Sequence, residues 1–112
     1  MRELVKSCRA LSDETRLRVL NVLVEQNCCV SEVMRTLQIS QTRASRSLST
    51  LYDAGFLKLT KYGLWSLYSL DEEGLQKYAI DLIEGVKRAL QDDEIALMDK
   101  NRLISVKRLS SG

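Results

Sequence analysis

Histidine and proline are absent from this chain of 112 residues, and glycine, cysteine and aromatic residues are few. Without histidine the chain lacks the commonest general base and the commonest zinc ligand. The absence of proline and the scarcity of glycine favour helices with few interruptions. No apolar run approaches the ~20 residues of a membrane-spanning helix, and residues 1–14 lack the apolar core of a signal peptide. We therefore expect a cytoplasmic protein with no membrane partner.

The bulk composition is that of one ordinary soluble domain over residues 1–112, with 45% hydrophobic and 29% charged residues. The formal net charge of +2 does not indicate nucleic-acid binding by itself, so the positions of the charges decide. A chain of this size buries only a modest core, and dimerisation would help it considerably. The three cysteines are expected to be reduced thiols, because disulfides are rare in the cytoplasm.

The N-terminal half shows apolar residues at helical spacing. A first amphipathic helix is predicted over about residues 2–10, with Cys8 on its apolar face. Ser12 is the predicted N-cap of a second helix, which should end near Gln26.

Two further helices follow, joined by a short turn. Ser31 is the predicted N-cap of the third helix, so the adjacent Cys28 and Cys29 fall in the connection before it. Ser40 is the predicted N-cap of the fourth helix, which covers about residues 41–54. Two helices in this arrangement predict a helix-turn-helix.

The apolar period changes after Gly55, a residue suited to the left-handed position that ends a helix. Alternating apolar residues predict a two-stranded hairpin, or wing, over about residues 56–70, with its turn around Tyr62–Gly63. Asp71 is the predicted cap of one long helix over about residues 72–100. The predicted class is thus mainly α with one hairpin, a winged helix-turn-helix that dimerises through its terminal helices.

The fourth predicted helix has a polar face that suits DNA. A recognition helix needs Arg and Gln for base edges, and small hydroxyl side chains for phosphates and close approach. The residues of this face are Gln41, Thr42, Arg43, Ser45, Arg46 and Ser49. Lys58, Lys61 and Tyr62 lie along and at the tip of the predicted hairpin, where a wing contacts the DNA backbone or minor groove. Arg35 is a further candidate for a phosphate contact.

Several motifs, in the same order, resemble the ArsR/SmtB family of metal-sensing repressors: ALSDETRLRVLNVL, CVSEV, LQISQTRASRSLSTLYDAGFL and YGLWSLYSL. The resemblance covers roughly residues 8–90. It implies a homodimer that binds inverted-repeat operator DNA without inducer and dissociates from it when the inducer binds. The chain departs from the family at Thr42, Ser47 and Leu64, where Pro, His and a basic residue are common. These departures concern the operator sequence rather than the fold.

The cysteines differ from the arrangement that arsenic-sensing members often carry, Cys-Val-Cys-Asp-Leu at the start of the third helix. The matching residues 29–33 read Cys-Val-Ser-Glu-Val, so the first cysteine is kept and Ser31 replaces the second. Cys28 is an addition directly before Cys29. Since both precede the predicted cap, their backbone need not be helical and the thiols can converge.

A soft-metal site is the predicted role of these thiols. A nearby helix N-terminus favours the thiolate form, and thiolates select soft metals. Cys28 and Cys29, with Cys8 as a third ligand, would suit As(III) or Sb(III). Zinc fits less well, because it prefers four ligands that include His or a fourth Cys. Cys8 as a ligand and Cys8 as a small hydrophobe in the core remain equal alternatives.

Other functions compete with this one. The cysteines could instead form a redox switch through a mixed or intersubunit disulfide, or bind another soft metal such as Cd or Pb. An enzyme is not expected, and no catalytic residue or cofactor is predicted, since no histidine is present to activate a thiol nucleophile. A pure protein-interaction module would leave the polar helix face unexplained.

Overall fold

A computed structural model describes residues 1–111 and shows, within them, six helices and one two-stranded antiparallel hairpin. The helices are α1 (Arg2–Leu11), α2 (Glu14–Glu25), α3 (Val30–Leu37), α4 (Gln41–Asp53), α5 (Lys77–Ala89) and α6 (Glu94–Ser111). The strands are β1 (Leu57–Tyr62) and β2 (Trp65–Leu70). This architecture confirms the predicted winged helix-turn-helix class.

The core lies where α2, α3 and α4 meet the base of the hairpin. Each helix contributes apolar side chains at i, i+3 and i+4 spacing, which form a single inward face. The largest fully buried apolar residues are Val19, Leu20, Val22, Val33, Leu48, Leu51 and Phe56. The helix-turn-helix formed by α3 and α4 is therefore held in place by packing within one chain.

Helix α2 begins one residue later than predicted. Asp13, not Ser12, is its N-cap, and the Asp13 carboxylate accepts a hydrogen bond from the Arg16 N–H at 3.0 Å. Ser12 instead ends α1, and its hydroxyl donates to the Arg9 carbonyl at 2.9 Å. Both residues favour capping positions, and here the carboxylate takes the N-cap.

Both ends of α4 follow the sequence prediction. The Ser40 hydroxyl accepts a hydrogen bond from the Arg43 N–H at 3.1 Å and caps the helix. Gly55, at φ +90°, follows the C-cap, and the Phe56 N–H donates to the Leu51 carbonyl at 3.1 Å. A residue with a side chain would be strained at this φ, so the glycine terminates the helix and turns the chain into the hairpin.

The hairpin is tightly closed and is joined to the segment before α3. Leu57 pairs with Leu70 at its base and Tyr62 with Trp65 at its tip, so the turn lies one residue later than predicted. Cys28 and Tyr68 also exchange two backbone hydrogen bonds, of 3.0 and 2.9 Å. The chain before α3 thus forms a single antiparallel bridge to β2.

The predicted single helix over residues 72–100 is wrong. Asp71 lies in a turn, where its side chain accepts from the Gly74 N–H, and the N-cap of α5 is Gln76. Four residues then separate α5 from α6, and the Asp93 carboxylate accepts from the Ala96 N–H at 3.0 Å. Asp93 therefore caps a new helix at a position that the apolar pattern alone treats as helix interior.

Helix α6 folds back over α2 and α3 instead of continuing the line of α5. It buries Ala96, Leu103 and Val106. No helix in the described part of the chain is both long and apolar enough to cross a membrane.

Candidate DNA-binding surface and cysteine site

The predicted recognition residues of α4 are all exposed. Thr42, Ser45, Arg46 and Ser49 follow i, i+3, i+4 and i+7 spacing and share one face. The opposite face is buried, with Ala44, Ser47, Leu48 and Leu51 packed inward. Gln41 and Arg43 are exposed in the first turn. A single chain thus presents this polar surface without rearrangement.

Arg43 makes a contact that the sequence did not predict. Its Nη2 donates to the Thr15 hydroxyl at 2.9 Å, and Thr15 is buried on α2. This hydrogen bond joins the start of α4 to α2. Arg43 is thereby held in place beside the more outward-facing residues of α4.

The wing carries its predicted polar residues on the surface, and its tip is apolar. Lys58, Lys61 and Tyr62 are exposed. Leu64 in the turn is fully exposed and Trp65 is 67% exposed.

Arg35 is exposed on α3 but is directed towards α6. Its Nε donates to the Ser31 carbonyl at 3.3 Å, and its Nη2 donates to the Ser110 hydroxyl at 3.4 Å. The first of these partners belongs to α3 itself and the second to α6. A phosphate contact by Arg35 remains a prediction.

Cys29, not Ser31, is the N-cap of α3. The Cys29 backbone N–H donates to Glu32 Oε1 at 3.0 Å, the reciprocal half of a capping box. Ser31 is an exposed residue inside the helix, and Cys29 is 8% exposed. The third-position glutamate after Cys29 was the sequence feature that could have located the cap.

Cys28 points into the core. It is fully buried, and its thiol lies 3.7 Å from the Gln26 carbonyl oxygen, to which it donates. Burial raises the pKa of the Cys28 thiol to about 12, outweighing the attraction of Lys107 for the thiolate. Cys28 is therefore a protonated thiol in this conformation.

One chain does not assemble the three cysteines into a metal site. Cys8 is exposed on α1, which does not agree with the alternative that it belongs to the core. Within residues 1–111, no three His, Cys, Asp or Glu side chains are grouped closely enough to hold a metal ion. Cys8 thus lies on the surface, whereas Cys28 and Cys29 are both buried.

A buried ion network at the other end of α3 was missed by sequence reasoning. Asp99 is 1% exposed, and its carboxylate accepts from Arg18 at 2.8 and 2.9 Å and from Arg102 at 2.9 Å. Arg18 also donates to the Leu37 carbonyl at 3.0 Å, and Arg102 to the Thr36 carbonyl at 2.7 Å. The hydrogen bond to Asp99 raises the pKa of Arg18, against the effect of burial. These arginines satisfy carbonyls at the end of α3, just before the turn to α4.

Comparison with known proteins agrees with this geometry. The family model described as "Bacterial regulatory protein, arsR family" matches residues 13–58. The chain is 32% identical over 92 residues to the uncharacterized HTH-type transcriptional regulator YbzH of Bacillus subtilis (strain 168), covering 69% of this chain and 92% of that protein. It is also 32% identical over 91 residues to the arsenical resistance operon repressor of Escherichia coli (strain K12), covering 80% of this chain and 77% of the repressor.

A solved structure shows the same fold. The solution structure of the homodimeric winged helix-turn-helix DNA-binding domain Mb0332 from Mycobacterium bovis, a possible ArsR-family regulator, matches with a TM-score of 0.67. The match covers 83% of this chain and 82% of that one, at 18% identity. From the family model and the curated relatives, this chain belongs to the ArsR/SmtB family of winged helix-turn-helix transcriptional regulators, which are DNA-binding proteins and not enzymes.

Proposed function

We propose that this chain is a homodimeric repressor that binds inverted-repeat operator DNA and dissociates when As(III) or Sb(III) binds its cysteine thiolates. The observation that carries the proposal is the position of Cys28 and Cys29 between the two elements that we predict to contact DNA, the wing and α4. Cys28 is hydrogen-bonded through its backbone to β2 of the wing, and Cys29 caps α3, which leads into α4. A ligand that moves these two residues therefore acts on both elements.

Dimerisation would place two copies of α4 on successive half-sites. Helices α1 and α5 expose the apolar residues Leu4, Val5 and Ile80, which a second copy would cover. The homodimeric structure from Mycobacterium bovis supports this arrangement. In such a dimer the spacing between the recognition helices sets the spacing of the operator half-sites, so a small movement of α3 and α4 lowers operator affinity.

The donor set fits a soft, thiophilic inducer once Cys28 is released from the core. A thiol must lose its proton before it binds such an ion, so the raised pKa of Cys28 increases the free-energy cost of binding. Binding of both adjacent thiols would therefore be accompanied by a change at the Cys28–Tyr68 bridge. Cys8, exposed on α1, is the proposed third ligand, from the same subunit or its partner. The Escherichia coli relative, a repressor of an arsenical resistance operon, supports arsenic as the inducer.

A redox-responsive repressor is the second candidate. The exposure of Cys8 favours it, because a surface thiol can form a mixed or intersubunit disulfide. This candidate needs an oxidant, whereas metalloid capture does not. Binding of another soft metal such as Cd or Pb is a variant of the first proposal.

An anaerobic thiol titration on the reduced protein tests the proposal. It is resolved residue by residue, continued until the slowly reacting Cys28 is labelled, and run with and without stoichiometric arsenite. Protection of all three cysteines supports a site that includes Cys8. Protection of Cys28 and Cys29 alone supports the adjacent pair and removes Cys8 from the site. If none is protected, the metalloid proposal fails. Repeating the titration after peroxide treatment, without arsenite, then tests the redox candidate.

A further inference from the structure

We propose that the C-terminal end of α6, residues 104–110, is a lid on the α6 side of Cys29 whose opening increases the access of a thiol-reactive ligand to that thiol. We call this segment the α6 lid. The proposal rests on the proposed function only in taking Cys29 as the sensing residue.

The two ends of α6 are attached to opposite ends of α3. Near its start, Asp99 and Arg102 bond at the C-terminal end of α3 through the buried network with Arg18. Near its end, Lys107 Nζ lies 3.1 Å from Glu32 Oε1 in the first turn of α3. Helix α6 therefore runs antiparallel to α3, with the network around the fully buried Asp99 at one end and, at the other, the Lys107–Glu32 ion pair, whose lysine side chain is 24% exposed. The second attachment is more exposed to solvent and lies in the last turns of the helix, so opening is expected there first.

Glu32 links the lid to Cys29 through one atom. Its Oε1 accepts both the Cys29 backbone N–H, at 3.0 Å, and Lys107 Nζ, at 3.1 Å. Burial raises the pKa of Glu32, but the hydrogen bonds from Cys29, Lys107 and Ser110 outweigh it and lower the pKa below its usual value. Glu32 is therefore an anion that holds the start of α3 and the lid together. A change in the Cys29 backbone alters the position of the carboxylate on which the lid depends.

The lid also forms one wall of a groove that borders Cys29. This open groove, of about 710 Å³, lies between α6 and the hairpin and is lined by Cys29, Glu32, Trp65, Ile104, Lys107 and Ser110. Cys29 lines a second cavity as well, of about 390 Å³, which is bordered by the hairpin tip and the start of α4 and not by α6. Cys29 is only 8% exposed although it borders the groove. Movement of the lid away from Glu32 would widen the groove on its α6 side.

Two matched substitutions on α6 separate the lid from general loosening of the helix. Lys107→Met removes the charge that pairs with Glu32 and keeps most of the side-chain length. Lys100→Met is the control. Lys100 is also on α6 but outside the lid, and its Nζ lies 3.2 Å from Oε1 of Glu25, the last residue of α2. The probe is iodoacetamide on the reduced, full-length protein, with modification at Cys28 and Cys29 distinguished by fragment-ion mass spectrometry.

We expect Lys107→Met to raise the rate of Cys29 alkylation by about fivefold. A change of this size corresponds to the free energy that one partly buried ion pair contributes to keeping the lid closed. Lys100→Met should leave that rate unchanged. In the reciprocal experiment, wild-type protein alkylated at Cys29 should show faster amide hydrogen exchange in residues 104–110. Exchange in residues 94–102, which the Asp99 network anchors, should not change.

Three results would overturn the lid. The first is an unchanged Cys29 rate in Lys107→Met, and the second is unchanged exchange in residues 104–110 after alkylation. The third is equal acceleration at Cys28 and Cys29, with faster exchange throughout the chain, which would show global destabilisation instead. Neither DNA nor arsenite is used, so the lid can fail while metalloid sensing stands, and the reverse.

Discussion

The polar face of α4 and the cysteine site differ in how much of each a single chain completes. The α4 residues are already exposed on one rigid helix that is capped at both ends. The three thiols are divided among the surface of α1, the sheltered start of α3 and the core. A local sequence pattern is enough to build the first surface, whereas the second requires tertiary contacts to change. This difference suits a protein that binds DNA in its resting state and responds to a ligand by rearranging.

The largest expected effect concerns the thiols themselves. Since burial raises the pKa of Cys28 from 9.0 to about 12, its thiolate fraction at pH 8 should be about a thousandfold below that of an ordinary thiol. Alkylation of the native protein should therefore modify Cys8 quickly and Cys28 at least that much more slowly, with rates measured residue by residue. In denaturant the difference should disappear. Equal alkylation rates for Cys8 and Cys28 in the native protein would mean that solvent reaches the core around Cys28. The cysteine site would then need no rearrangement, and its difference from the exposed face of α4 would not hold.

A smaller effect is expected on the DNA side, from Arg46→Ala. Removing this arginine, which we predict to read a base from the exposed face of α4, should weaken operator binding by about 10- to 100-fold and relax specificity at one base position. Titration of a labelled duplex measures the affinity, and Arg88→Ala on α5 removes the same charge elsewhere. Arg46→Lys distinguishes the roles, because lysine can replace a phosphate contact better than a bidentate base contact. An unchanged affinity in Arg46→Ala would remove this residue from the recognition surface.

The smallest effect is expected at the wing. Lys61→Ala should lower affinity only a few-fold, uniformly across sequences, and reduce the dependence of log Kd on log salt by about one ion. Titrations at several salt concentrations measure this slope. A sequence-specific loss would instead show that the wing reads bases, which would make it a second recognition element.

The recognition helix was predictable because its determinants are contiguous. Ser40 and Gly55 mark the ends of α4, and the apolar residues between them fix which face is buried. The hairpin follows for the same reason, from alternation along two neighbouring strands. In these segments each residue's local preference agrees with its place in the fold.

The C-terminal region was not predictable in this way. The break before α6 depends on Asp93 acting as a cap within an otherwise continuous helical pattern. The docking of α6 depends on Asp99 and Arg18, which lie 81 positions apart in the chain. The local spacing of apolar residues does not indicate such a contact. Neither the fold-back of α6 nor its contact with the start of α3 can therefore be predicted from that spacing.

The cysteine site was predictable in its location but not in its geometry. The sequence placed Cys28 and Cys29 before α3, and the structure agrees. It did not show that the bridge to Tyr68 fixes the Cys28 backbone while the thiol turns into the core. Ser31 was the favoured cap by residue type, yet Cys29 takes that position because Glu32 completes the capping box.

The central claim is that a ligand captured at the start of α3 releases DNA. Fluorescence anisotropy tests it, using an inverted-repeat duplex that the protein itself selects from a random library, under anaerobic reducing conditions. Arsenite should weaken binding by wild-type protein by about 5- to 150-fold, the usual range of allosteric coupling. Cys29→Ser, which keeps a good N-cap residue, should bind the duplex and ignore arsenite. Wild-type protein that stays bound at saturating arsenite, or Cys29→Ser that is released equally, would contradict the account.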